Sequence, residues 1–200
     1  MWTLPANWFA APRPFDMGQT TVLILPGWQG SGPEHWQMHW VRQHGCTVVE
    51  QDNWMRPRRG DWLARLDEVV IDTPGRLVLA AHSLGCIQVA AWAAVSRHTA
   101  RVAGALLVAP GDVEQPDLRE QLPGWSPIVR QKLPFASILV GSQNDPYCSA
   151  VRAQGLARDW GAEWVDLGEA GHINAETQLE DWPAGLALLN RLTTRLMKET

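Results

Sequence analysis

A serine in a short run of small residues is the first candidate for chemistry in this sequence. Ser83 lies in Ala81-His82-Ser83-Leu84-Gly85, between an apolar run and an apolar helical pattern. This is the pattern of a nucleophile elbow, a sharp strand-to-helix turn that needs small residues two positions either side of the serine. Such a turn lifts the hydroxyl above the sheet edge, at a helix N-terminus that favours developing negative charge. The pattern predicts Ser83 as a nucleophile rather than a helix cap alone.

Two residues that could activate this serine follow later apolar runs. Asp145 comes soon after the run 137–140, and His172 soon after the run 163–167. A serine hydroxyl is a weak nucleophile until a base takes its proton, and neutral histidine can accept and return that proton. A carboxylate beside the histidine holds the ring in the right tautomer. The chain order Ser83, Asp145, His172 matches that of the α/β-hydrolase triad.

The acid of this set has two rivals. Asp112 follows the fourth predicted strand, from which some hydrolases take their acid, so it stays as the alternative to Asp145. Glu169 is close to His172 in the sequence, which makes it a poor partner across a loop.

Three further histidines have simpler interpretations. His82 adjoins the nucleophile, but the elbow turns adjacent side chains in different directions, so we expect it to pack beside the turn. His35 and His39 are four residues apart and could both face a metal. No third ligand with suitable spacing accompanies them, and Trp36 and Trp40 mark the packing face of that helix. We expect no metal site and no cofactor.

The proposed chemistry also needs two backbone N–H donors for the developing oxyanion. Leu84, the residue after the nucleophile, supplies one of them. The segment 26–30, which follows the first predicted strand, occupies the position of the second donor loop, and Trp28 is the predicted donor.

These residues must be positioned by an alternation of strands and helices. Apolar runs predict strands at 22–25, 46–50, 77–81, 102–109, 137–140 and 163–167. Helical patterns lie between them, with Ser31 and Asp61 as expected N-caps, one helix at 151–160 and a closing helix from Trp182 to Leu196. The fold class is therefore α/β, with six mostly parallel strands and helices on both faces. In such a sheet, ligands bind beyond the carboxyl ends of the strands.

The domain prediction has three parts. Residues 1–20 are expected to form an N-terminal arm, and residues 21–200 a single domain. The proline-rich stretch 111–134 is expected to be an irregular, flap-like insertion over the strand ends. We expect Trp28 on one side and Trp125 on the other to confine the acyl group of a substrate.

Composition excludes several classes of function. Two hundred residues, 46% hydrophobic and 19% charged, can bury a substantial core. The net charge of −4, with 56–59 as the only basic cluster, gives no indication of nucleic acid. Three cysteines are too few for a disulfide framework and fit a reducing cytoplasm. Residues 1–15 lack the features of a signal peptide, and no apolar run could span a bilayer. We expect a cytoplasmic protein without membrane contact.

Four motifs resemble the small serine-hydrolase family that includes retinoblastoma-binding protein 9, a branch of the α/β hydrolases. They are PGWQGSGPEHW at 26–36, AHSLG at 81–85, GSQNDPYC at 141–148 and GHIN at 171–174. The resemblance implies Ser83 as nucleophile, Asp145 as acid, His172 as base, and no cofactor. It also implies a minimal sheet without a large cap domain. Ala81 departs from the glycine of the superfamily elbow, but it is small enough for the turn.

The predicted function is a serine hydrolase that cleaves small carboxylic esters or related acyl compounds through an acyl-serine intermediate. One alternative is an amidase or peptidase with the same triad. Another is a protein-binding module on a hydrolase fold, since partner binding has been suggested for some family members. The partner in the leading hypothesis is a small acyl substrate, and the sequence specifies no protein partner.

Overall fold

The computed structural model describes residues 20–195, and these contain one six-stranded sheet. The strands, all parallel to their neighbours, are β1 (Thr20–Leu25), β2 (Thr47–Val48), β3 (Arg76–His82), β4 (Val102–Val108), β5 (Ala136–Gly141) and β6 (Glu163–Asp166). Their order across the sheet is β2-β1-β3-β4-β5-β6. The prediction of about six mostly parallel strands is confirmed, although β2 has only two of the five residues expected.

Helices cover both faces of this sheet. They are α1 (Trp36–His44), α2 (Arg59–Asp72), α3 (Leu84–Ala93), α4 (Pro116–Gln121), α5 (Ala150–Trp160) and α6 (Pro183–Arg195). Alternate strand residues point to opposite faces. Leu23, Leu79 and Leu107 pack with α2, α3 and α5, whereas Ile24, Val78 and Leu106 pack with α1 and α6. Because both faces are buried at β1, β3, β4 and β5, these strands are largely continuous apolar runs in the sequence.

Both predicted N-caps are wrong. Helix α1 begins at Trp36, and its cap is His35, whose side chain accepts from the Gln37 N–H. Ser31 cannot cap it because its hydroxyl donates instead to Oε1 of Gln37, 2.7 Å away. Helix α2 begins two residues before Asp61, so Asp61 lies in the first turn. Its negative charge is stabilised there by the positive end of the helix dipole.

The insertion 111–134 is only partly irregular, because it contains the six-residue helix α4. Pro116 at the start of that helix needs no N–H partner there. No large cap accompanies it within residues 20–195. Thr20 already belongs to β1, and the remainder of the predicted N-terminal arm, residues 1–19, lies outside the described residues, as does Leu196 of the predicted closing helix. None of the described helices is long and apolar enough to cross a membrane.

Candidate active site

The turn between β3 and α3 holds Ser83 in a conformation that few side chains adopt. Its φ is 54° and its ψ is −118°, outside the regions that L-residues favour. The Ser83 N–H donates to the Val108 carbonyl at 3.0 Å, which fixes the turn to β4. A side chain at Gly85 would collide with the backbone oxygens of Leu25 and Pro26. Glycine at this position therefore lets α3 start directly against the end of β1.

Ser83, His172 and Asp145 form a continuous line of hydrogen bonds. Nε2 of His172 lies 2.9 Å from Oγ of Ser83, and Nδ1 lies 3.0 and 2.9 Å from the two carboxylate oxygens of Asp145. A carboxylate only accepts, so Nδ1 carries the ring proton and Nε2 is left to accept from the serine hydroxyl. The side chains of His172 and Asp145 are 10% and 2% exposed, so water competes little with these bonds. The structure thus brings the three predicted residues together.

The loops that carry Asp145 and His172 are bound to each other. The Tyr147 N–H donates to Oδ1 of Asp145 at 2.9 Å, and the Tyr147 ring packs edge-on against the His172 ring, with centroids 4.6 Å apart. The Gly171 N–H donates to Oδ1 of Asn144 at 2.7 Å. The loops of Asp145 and His172 are therefore held in register by a shared network.

The alternative acid, Asp112, has a different partner. Its Oδ1 accepts from Nη2 of Arg152 at 3.1 Å, and its N–H donates to the Tyr147 carbonyl at 3.0 Å. No hydrogen bond joins it to His172 within residues 20–195. Glu169 is exposed and also makes no hydrogen bond to His172 in that range. Of these three carboxylates, Asp145 is the one that contacts the His172 ring.

The predicted oxyanion donors lie on two loops beside Ser83. Among the described residues, the backbone N–H groups of Trp28 and Leu84 have no acceptor. The loop of Trp28 is held from outside, since the Gln29 N–H donates to the Trp54 carbonyl and the Trp28 indole donates to the Met55 carbonyl, both at 3.1 Å. These contacts fix the loop, and neither of them uses the backbone N–H of Trp28.

His35 and His82 line the same site as two neutral imidazoles. Burial, and then electrostatic repulsion from His172 in its protonated form, lowers the pKa of His35 to about 4. Burial also lowers the pKa of His82 well below its usual range. Neutral imidazoles could bind a metal, but residues 20–195 contain no group of three His, Cys, Asp or Glu that could do so.

The pocket above Ser83 has a volume of about 280 Å³. Half of its apolar wall comes from the insertion, and the wall residues are Trp28, Leu84, Val113, Leu118, Leu122 and Tyr147. Trp125 does not line it, so the expectation that Trp125 confines the acyl group is wrong. Its side chain is fully buried, packs against Trp62 and donates to the Pro57 carbonyl at 2.9 Å. Burial of the large apolar indole ring in the core is more favourable than its partial exposure over an open cleft.

Sequence reasoning missed two residues that shape this pocket. A Cβ on Gly111 would lie 3.4 Å from Oγ of Ser83, so this glycine borders the Ser83 hydroxyl directly. Tyr147, 44% exposed, lines the pocket beside His172. Gly111 follows the carboxyl end of β4, and Tyr147 follows that of β5, as Ser83 follows that of β3. This position after a strand was the signal available in the sequence.

Comparison with known proteins gives one family and a set of similar structures. The model of a family described as serine hydrolase matches residues 22–191. A protein described as a YdeN-like hydrolase from Pectobacterium atrosepticum is 29% identical, with a TM-score of 0.78 over 90% of this chain and 94% of that one. No curated protein matches the chain significantly.

Two more distant structures share the fold. The ydeN gene product of B. subtilis is 19% identical, with a TM-score of 0.71 over 88% of this chain and 99% of that one. Esterase 2 of Thermogutta terrifontis, solved with butyrate bound, is 16% identical, with a TM-score of 0.61 over 96% and 87%. These likenesses confirm the predicted minimal α/β-hydrolase fold.

Proposed function

This chain belongs to the serine hydrolase family, and we propose that it cleaves small carboxylic esters or related acyl compounds through an acyl-serine intermediate. The observation that carries the proposal is the unbroken line from Asp145 through His172 to Ser83, with 2.9 Å between Nε2 and Oγ. A buried carboxylate, a histidine oriented by it and a strained serine in one pocket are the groups that activate a serine to attack a substrate.

In the first half of the reaction, Oγ of Ser83 attacks the ester carbonyl carbon while Nε2 of His172 takes the hydroxyl proton. The Asp145 carboxylate stabilises the imidazolium that forms. The carbonyl oxygen becomes an oxyanion, which accepts hydrogen bonds from the N–H groups of Leu84 and Trp28. When the tetrahedral intermediate collapses, the carbon–oxygen bond to the leaving group breaks and His172 returns its proton to the departing alkoxide.

In the second half, water replaces the alcohol. His172 takes a proton from the water, whose oxygen attacks the acyl carbon of the Ser83 ester. The second tetrahedral intermediate releases the carboxylic acid, and the proton returns to Oγ. The enzyme is thereby restored to its starting protonation state.

The size of the pocket supports small acyl groups. A volume of about 280 Å³ is at the lower end of ligand pockets, and α4 with its flanking residues closes one side. Each CH₂ that finds no apolar wall loses about 0.8 kcal/mol of burial. We therefore place the optimum between acetyl and butyryl esters, with a fall by octanoyl.

Steady-state hydrolysis of p-nitrophenyl esters from acetyl to octanoyl tests this proposal. The matched p-nitroanilides, whose leaving group is poorer, separate an esterase from an amidase. We expect ester turnover with the optimum at two to four carbons and much slower anilide turnover. Turnover of neither series would favour the protein-binding alternative, and faster anilide turnover would favour the amidase.

A further inference from the structure

We infer that His82 is a positioning residue, which holds the catalytic base His172 from its backbone side, with His35 packed behind it. This inference rests on the proposed function, because it assigns the support of the same base. The carboxylate of Asp145 orients the His172 ring at Nδ1, and nothing in that contact fixes the backbone to which the ring is attached.

The contact that assigns this role spans 90 positions of the chain. Nε2 of His82 lies 2.9 Å from the backbone oxygen of His172, and since a carbonyl only accepts, the His82 N–H is the donor. The two rings also meet edge-on, with centroids 4.8 Å apart. His82 directly precedes Ser83, so one peptide unit links the nucleophile to the residue that supports its base.

The contact of His82 adds to the hydrogen bonds between the Asp145 and His172 loops, because the strand before His172 gives little support of its own. β6 lies at the edge of the sheet, and all four of its residues are at least partly exposed. The loop that follows β6 is also held at the next residue, where the Trp36 indole donates to the Ile173 carbonyl at 3.0 Å. Two consecutive carbonyls, of His172 and Ile173, are therefore tied to β3 and α1. Both ties leave the imidazole of His172 free to face Ser83.

The ring of His82 is kept in the state that this role requires. Burial lowers its pKa, so the ring is neutral at pH 7, and the donated N–H fixes the proton on Nε2. The neighbouring His35 ring packs edge-on at 4.6 Å. Nδ1 of His35 accepts from the Gln37 N–H at 3.2 Å, which fixes that ring to the start of α1. His82 is thus confined between a rigid helix start and the base it supports.

A matched pair of variants tests the role. Gln places an N–H donor at the reach of imidazole Nε2, whereas Met has the same length without a donor. We expect His82→Met to lower kcat for p-nitrophenyl butyrate by roughly 10- to 100-fold, the scale of a small misplacement of a catalytic group, with KM nearly unchanged. His82→Gln should recover most of kcat. His39→Met, a half-buried histidine on α1 away from the pocket, is the control and should match the wild type.

Equal kcat values for the Gln and Met variants, measured well below each unfolding midpoint, would overturn the inference, because packing alone would then account for His82. A measurement on the wild type does not depend on the folding of any variant. Side-chain ¹⁵N shifts at pH 7 should show His82 as the Nε2–H tautomer, and an Nδ1–H tautomer would also overturn the inference. If the wild type does not turn over esters at all, the proposed function fails, and the tautomer still reports on the contact.

Discussion

Gly111 offers a test of the pocket geometry that leaves every proposed catalytic residue in place. An alanine Cβ there would lie 3.4 Å from Oγ of Ser83 and 3.9 Å from the backbone nitrogen of Leu84. Both distances are ordinary van der Waals contacts, and the Gly111 backbone is not in the left-handed region. The free enzyme should therefore accept the methyl group with little change in its unfolding temperature.

The substrate should not accept it. A reactive carbonyl carbon must lie about 3–3.5 Å from the nucleophile, and its oxygen about 3 Å from the Leu84 N–H. The alanine methyl would border both positions. Displacing the carbonyl by about 1 Å costs roughly 100-fold in rate, which corresponds to about 2.7 kcal/mol in the barrier. We expect Gly111→Ala to lower kcat/KM for p-nitrophenyl acetate by about that factor.

Ester turnover and thermal unfolding are both measured for Gly111→Ala and for a matched control variant. Gly32→Ala is the control, because a Cβ there meets no atom within 4 Å. It should match the wild type in both measurements. If Gly111→Ala unfolds at the wild-type temperature and keeps kcat/KM within a factor of about three, far from the roughly 100-fold loss expected for a displaced carbonyl, the carbonyl does not bind where Ser83 and Leu84 place it.

Three further perturbations address the acid, the pocket wall and the buried histidine. Asp145→Asn should lower kcat about 10⁴-fold, whereas Asp112→Asn, which loses charge only beside Arg152, should stay close to the wild type; the reverse pattern would reassign the acid. Leu122→Ala should raise kcat/KM for octanoyl relative to butyryl esters by roughly tenfold, two newly buried CH₂ groups, and an unchanged chain-length profile would exclude this wall. The pKa of His35 is about 4 when folded, below its usual value of about 6.5, so the unfolded chain binds more protons between these values and stability falls as the pH falls through this window. Between pH 7 and pH 5, urea unfolding of His35→Phe should lose roughly 2 kcal/mol less stability than that of the wild type, whose remaining loss includes that of His82, a residue with a lowered pKa of its own; an equal loss in the two proteins would place its origin elsewhere.

The elements of the fold could be predicted because they follow local rules. Neighbouring strand residues such as Leu23 and Ile24 are buried on opposite faces of the sheet, which requires an unbroken apolar run where a half-exposed strand would alternate with polar residues. The elbow at Ser83 has a recognisable sequence pattern, because only glycine fits at position 85, where α3 starts against the end of β1. Chain order then made Asp145 and His172 candidates without knowledge of any distance.

What could not be predicted depends on contacts between distant segments. The residues around Ser31 are typical of a helix N-cap, but its hydroxyl donates to the side chain of Gln37. The amide of Gln37 in turn donates to the carbonyls of Leu25 and Ala80. The positions of Trp125 and His82 could not be predicted either, because each depends on a contact with a distant segment. Their partners, the Pro57 carbonyl and the His172 carbonyl, are 68 and 90 residues away in the chain. A sequence pattern records a side chain's type, and only the packed structure identifies its partner.

Covalent labelling of the intact protein tests the central claim most directly. A fluorophosphonate reacts only with a serine that a base has activated, so mass spectrometry of the labelled and digested protein identifies the nucleophile. We expect one adduct per chain, on the peptide that contains Ser83, and no adduct on Ser83→Ala with an unchanged unfolding temperature. An adduct on another serine, or ester turnover by Ser83→Ala at the wild-type rate, would contradict the assignment of Ser83 as the nucleophile.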